Sequence, residues 1–275
     1  MTRDEPFIQS NSPLHLQLSP FLDLNPSITV GFSTRKGGTS ISPYDSLNLG
    51  LHTADADNLV TKNREKLGES LRFPLKNWVV GEQIHSNHVR KIAERDKGGG
   101  AIDLTTAIPE TDGIYTKERG ILLTSMYADC VPLYFYAPDH DLIGLAHAGW
   151  KGTTGNIVQN MIDAFVKEGA DKSGIYAAIG PAISKRCYEV DDRVVSEIKK
   201  LSCSDMQSVI EPRQNQRYFL NLKEVNRQLL LNSGVDESHI FVSRYCTYKE
   251  EQLFYSYRRD SGKTGRMMSF IGLPT

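Results

Sequence analysis

Residues 131–147, VPLYFYA-PDH-DLIGLAH, set two runs of β-forming residues around a Pro-Asp-His-Asp turn. Two apolar runs joined by so short a connection predict an antiparallel hairpin. With the turn centred near Asp139 and His140, Pro132 falls opposite His147. Cys130, two residues beyond Pro132, then shares a face with His147 on the diagonal. Diagonal neighbours on adjacent strands sit roughly 7–8 Å apart at the backbone and closer at Cβ. A thiolate and an imidazole at that separation can share one metal ion. A slip of one residue in either strand would send the two side chains to opposite faces. Beyond His147 the chain reads AGWKGTTGN into a helical pattern. Small residues let backbone approach a ligand, and the free N–H groups that open a helix attract anions.

Spacing alone leaves two readings of this pair open. Cys130 can be a small buried hydrophobe beside a hydrogen-bonded core histidine, or both can be metal ligands. A catalytic zinc typically keeps three protein ligands and one open position. The segment GEQIHSNHV (81–89) offers His85 or His88 as the third. His85 ends the strand-like run NWVVGEQIH (77–85), which would hold it more firmly. The chain has no CxxC and no HExxH motif.

Strand-like and helix-like segments alternate along the whole length. ITVGFSTR (28–35), GILLTSMYADC (120–130), GIYAAIGPAIS (174–184), HIFVSRYCT (239–247) and RMMSFIGL (266–273) read as strands. DADNLVTKNREKLGESL (55–71) reads as a helix with Val60, Arg64, Leu67 and Leu71 on one face and Asp55 or Asp57 as its cap. TGNIVQNMIDAFVKEG (154–169) reads as a second, stopped by Gly169. DDRVVSEIKKL and NLKEVNRQLLLNSG add two more. Residues 1–25 are expected to be irregular, with Pro13 and Pro20 as breakers, and 97–113 a loop that could form a flexible rim. No repeat or linker divides the chain, so residues 1–275 are expected to form one α/β domain with a mixed sheet.

The 275 residues can bury a core without disulfides or metals. Lys+Arg 32 against Asp+Glu 33 leaves a net charge of -1, which argues against a nucleic-acid or membrane-surface partner. No stretch is apolar enough to span a membrane, and the N-terminus lacks the apolar core of a signal peptide. The four scattered cysteines (130, 187, 203, 246) read as thiols of a cytoplasmic protein.

From about residue 30 onward the segments FSTRKGG, SLNLGLH, GEQIHS, DGIYT, ADCVPL, AHAGWKGT, IGPAIS…CYEV and YSYRRD…TGRMMSFI occur in order. This pattern resembles the bacterial laccase-domain family, once labelled multicopper polyphenol oxidases and now regarded as purine nucleoside phosphorylases. The resemblance implies a single-domain four-layer α/β/β/α sandwich and a zinc ion held by His85, Cys130 and His147. It implies phosphorolysis of adenosine, inosine, guanosine and methylthioadenosine, with adenosine deamination as a second activity. Purine nucleosides and phosphate are then the partners, and the protein a monomer or homodimer. Two positions depart from the family pattern. Lys151 stands where Arg is usual, keeping the charge but losing the bidentate fork. Arg186 replaces the first cysteine of the usual CCYEV, so Cys187 has no cysteine beside it in sequence.

Other residues carry paired expectations. Arg35, after a strand-like run and close to two glycines, can face an anion or solvent; its loop lacks the GK[ST] ending of a phosphate-binding Walker motif. Lys36 reads as its solvated neighbour. Lys151 is the second expected anion contact. Asn48 and His52 line the pocket by the resemblance, or serve turn chemistry. Asp129 is a catalytic helper only if the backbone bends, because strand alternation points it away from Cys130. Arg258, Arg259 and Asp260 form a charged loop that could bind phosphate or ribose. Tyr245 and Tyr248 could stack on a base, though strand aromatics mostly pack. His88 reads as a rim residue.

Three further functions stay in view. A copper-dependent polyphenol oxidase fits the older family label, but seven histidines without a His-x-His pair poorly supply a four-copper centre. A cysteine hydrolase would use Cys130 as nucleophile and His147 as base. A non-enzymatic binding module would need a fourth ligand to close a structural zinc site.

Overall fold

In the computed structural model, which describes residues 4–275, the hairpin forms in the expected register: Pro132 pairs with His147 and Ala137 with Leu142. Its strands are the centre of one of two six-stranded mixed sheets. That sheet runs β14 (Ile240–Val242), β10 (Tyr176–Ile179), β8 (Val131–Ala137), β9 (Leu142–Ala148), β6 (Gly113–Thr116) and β5 (Val89–Lys91). The other runs β1 (Phe7–Gln9), β2 (His15–Leu18), β3 (Thr29–Ser33), β15 (Met267–Leu273), β7 (Ile121–Tyr127) and β4 (Trp78–Val80). A small antiparallel sheet joins β11 (Glu189–Asp191), β13 (Arg217–Leu220) and β12 (Ile210–Pro212).

One apolar cluster draws on both large sheets, with Phe32, Tyr127 and Ile271 from one and Tyr134, Leu145 and Ala178 from the other. The hairpin strands are buried on both faces, so they read as continuous apolar runs rather than alternating ones. A second cluster sets the hairpin sheet against helices α4 (Ile157–Lys167), α5 (Asp192–Ile198) and α7 (Leu222–Asn232). The stripe Ile157, Val158, Met161, Ile162 and Phe165 is the buried face of α4. A third packs α2 (Asp57–Leu71) against Trp78, Leu122, Met268 and Phe270. Short helices α1 (Ser19–Leu24), α3 (Trp150–Thr154) and α6 (Met206–Val209) complete the fold.

Several expectations need correction. Of the segment expected to be irregular, residues 1–3 lie outside the described residues. The rest holds β1, β2 and α1. Pro20 does not break α1 because it occupies the first turn, where no intrahelical N–H is required. Helix α2 has Ala56 at its N-cap and no side-chain cap. Asp55 instead accepts from Ser40 Oγ and Asn48 Nδ2. The helix expected over 154–169 is α4 and starts only at Ile157; α3 precedes it, and between them Asn156 is left-handed (φ 57) and caps α4 by accepting from the Gln159 N–H. The strand expected over 77–85 stops at Val80, and that over 120–130 at Tyr127. Both early stops fall beside the functional site.

Candidate functional site

His147 sits on β9 and is 3% exposed. Cys130 lies one residue ahead of β8, on the diagonal that the register dictates. His85 joins them from the loop after β4. One ligand atom from each of the three lies within 4.8 Å of the others. Among the described residues this is the one such group of three or more His, Cys, Asp or Glu side chains.

A single carboxylate arranges two of the three. Asp112 Oδ1 accepts from His147 Nδ1 at 2.8 Å and from the His85 N–H at 3.1 Å. Its Oδ2 accepts from the N–H groups of Ile84 and Ser86 and from Ser86 Oγ. These bonds pull residues 84–86 into a turn, which explains why no strand runs through to His85 and why His85 has a φ of 62°. Gln83 anchors the same turn by bonding both backbone groups of Met126. With Nδ1 committed to Asp112, His147 presents Nε2 to a metal. Burial pushes the Asp112 carboxyl up, but the bonds from His147 and Ser86 hold it below the usual range. Sequence reasoning missed Asp112; its one signal was the Asp-Gly step that opens DGIYT.

The electrostatics suit a metal. Burial alone would raise the Cys130 thiol, yet the His147 charge and hydrogen bonds from both histidines bring it down to about 6. Burial depresses His147, but Cys130 and Asp112 outweigh it and carry the imidazole to about 9. The histidines thus favour the thiolate form of Cys130 that metal ligation requires. Gly149 closes the cradle: a Cβ there would lie 3.1 Å from His85 Cδ2 and 3.2 Å from Cys130 Sγ. The three donors could hold one metal ion.

The cluster lines a cavity of about 700 Å³. His52, Asp129 and Arg258 line the same cavity, as do Trp150, Tyr188 and Tyr257. Burial and the nearby Arg266 and Arg64 push His52 down to about 4. The backbone does bend at Asp129, with a φ of 85°. Its carboxylate, however, accepts from Thr247 Oγ1, Ser256 Oγ and the Arg258 N–H, so it positions the loop that carries Tyr257 and Arg258. Arg258 donates to the Glu189 carbonyl and lies 5.3 Å from the Tyr188 ring centre.

Three expected contacts are elsewhere. Arg35 lines a separate cavity; it bonds the Asp45 and Glu251 carbonyls and the Asp45 carboxylate, and lies over Tyr255. Asn48 is fully buried between Thr53, Asp55, Gly50 and Arg266 and organises its own loop. Lys151 is exposed on α3 and does not line the cavity. His88 is exposed and bonds the Glu110 carbonyl. Arg64 and Arg266 do line the cavity. In sequence Arg64 reads only as part of a helix face and Arg266 only as the start of the strand-like run RMMSFIGL.

The sequence pattern of a family described as "Multi-copper polyphenol oxidoreductase laccase" matches residues 29–274. A protein of Bacillus subtilis (strain 168) named "Purine nucleoside phosphorylase YlmD" is 48% identical over 250 residues, 90% of each chain. The crystal structure of YlmD from Geobacillus stearothermophilus superposes with a TM-score of 0.94 at 45% identity, covering 98% of this chain and 100% of that one. A Bacillus licheniformis structure titled as the hypothetical protein YfiH does so with a TM-score of 0.94 at 43% identity, covering 98% and 99%.

Proposed function

This chain belongs to the multi-copper polyphenol oxidoreductase laccase family, and on that footing we propose that it is a zinc-dependent purine nucleoside phosphorylase. The observation that carries the reading is the three-donor cluster His85, Cys130 and His147 in the wall of a cavity that also offers aromatic and cationic side chains. A nucleoside needs flat apolar surface for its base, and Trp150, Tyr188 and Tyr257 supply it. Its co-substrate needs positive charge. In the reaction a phosphate oxygen bonds to C1′ of the ribose as the C1′–N9 bond breaks, and the purine leaves with the electron pair and takes up a proton. Zinc on the three donors would supply Lewis acidity, which also suits adenosine deamination as a second activity. Cys130 holds its ligand charge because His147 and His85 stabilise it. Asp112 keeps His147 oriented. Asp129 fixes the loop bearing Tyr257 and Arg258 over the cavity. Adenosine, inosine, guanosine and methylthioadenosine are the substrates proposed.

The test is incubation of zinc-loaded protein with these four nucleosides, with and without phosphate, and chromatography of the bases. Base release that requires phosphate is expected. No phosphate-dependent release from any of the four would overturn the reading. A second reading, a cysteine hydrolase, draws on the same depressed Cys130 thiol. Fast iodoacetamide labelling of Cys130 in the metal-loaded protein would favour it, because a thiolate bound to zinc is not free to attack.

A further inference from the structure

Arg64 is 0% exposed. Its Nε donates to the Leu49 carbonyl and its Nη1 to those of Gly100 and Ala101, while Nη2 has no partner. Arg266 also bonds only carbonyls, those of Thr264 and Gly265, through Nη1. Among the described residues neither guanidinium has a carboxylate partner within 4.0 Å. Both line the cavity that holds the metal cluster, as does His52. Gly50 lets Arg266 and His52 pack together: a Cβ there would lie 2.7 Å from Arg266 Cγ and 3.3 Å from His52 Cε1. The Asp129 carboxylate, on the same cavity, is already committed to Thr247, Ser256 and the Arg258 backbone.

A buried guanidinium bonded only to neutral carbonyls keeps its full charge uncompensated, and proteins rarely tolerate this without a partner. Arg64, fully buried, and Arg266, half-buried, stand on one cavity wall without carboxylate partners, and together they call for an anion with several acceptor oxygens. We propose that Arg64, Arg266 and His52 form the seat of inorganic phosphate, with Arg266 and His52 touching it and Arg64 acting from behind as a positioning residue. The assignment rests on the phosphorylase reading for the identity of the anion. It removes Arg35, which has its own partners in another cavity, and Lys151, which points to solvent, from that role.

The test uses the metal-loaded full chain. Calorimetric titration with inorganic phosphate, without nucleoside, is compared for the wild type, Arg266→Met, Arg266→Lys, Lys151→Met and Arg258→Met. Loss of a charge-assisted contact should weaken phosphate binding roughly tenfold or more in Arg266→Met, with partial recovery in Arg266→Lys and no change in Lys151→Met. In steady state, Arg266→Met should raise KM for phosphate while KM for adenosine stays within about twofold. Arg64→Met could unfold, so Arg64→Lys, checked by circular dichroism, is its probe; it should raise KM for phosphate more than it lowers kcat. Unchanged phosphate affinity in Arg266→Met, or its loss in Lys151→Met or Arg258→Met instead, overturns the seat. So does tighter Arg266-dependent binding of adenosine 5′-monophosphate than of free phosphate, which would place the anion on a nucleotide. Phosphate bound through Arg266 in a protein that releases no base would leave the seat standing and refute the phosphorylase.

Discussion

Two cavities of about 700 Å³ among the described residues differ in how their polar groups are satisfied. Around Arg35 the two arginines already have partners. Arg35 bonds Asp45 and Glu251, and Arg259 bonds Asp260 and the carbonyls of Thr247, Tyr248 and Phe254. Around Cys130 three metal-type donors converge, and two guanidiniums lack carboxylate partners. Volume does not separate the two. What separates them is whether the polar groups are satisfied within the fold, because an unsatisfied buried group is costly and is retained where a ligand completes it.

The sharpest way to break this contrast is Cys130→Ala. Zinc content should fall to background, and base release should drop by more than the roughly 10–100-fold typical of losing a ligand's supporting partner. Circular dichroism should stay native, because the three apolar clusters do not depend on the metal. Full metal content and activity would make Cys130 an ordinary buried residue. Asp112→Asn comes next. It removes the charge that orients His147, and zinc affinity measured by chelator competition should weaken about 10–100-fold. Gly149→Ala is smaller: the added methyl meets His85 and Cys130, and overpacking of about 1–2 kcal/mol corresponds to roughly tenfold in zinc affinity. Arg35→Met tests the other cavity. It should lower the stability of the protein by about 1–2 kcal/mol in urea unfolding and leave zinc content and KM for phosphate unchanged. His88→Ala should alter neither metal nor activity, since His88 bonds only the Glu110 carbonyl from the surface.

The hairpin was legible because strand periodicity is 2 and a short turn fixes the register, so Cys130 and His147 could be paired from sequence. The family pattern then chose His85 over His88. How His85 is held could not be read, because Asp112, 27 residues away, bends the chain there. Periodicity places Arg64 on one face of α2 with Val60, Leu67 and Leu71, and that face is buried. The isolation of Arg64 was hidden because its acceptors are backbone carbonyls at 49, 100 and 101, which carry no side-chain signature. That Arg35 and Lys151 lie away from the Cys130 cavity was hidden for the opposite reason: charge is visible in sequence, but direction is not.

The outermost strands of all three sheets, β1, β4, β5, β14, β11 and β12, are three residues long. Another chain seeking to add a strand would find a ledge of only about 10 Å, too short to template a stable ladder. The long, fully buried strands β8 and β9 beside the His-Cys-His cluster are therefore kept away from any edge, and the segments most prone to amyloid-like stacking are shielded by their own short neighbours. Growth of this protein into fibrils would first require those outer strands to peel away.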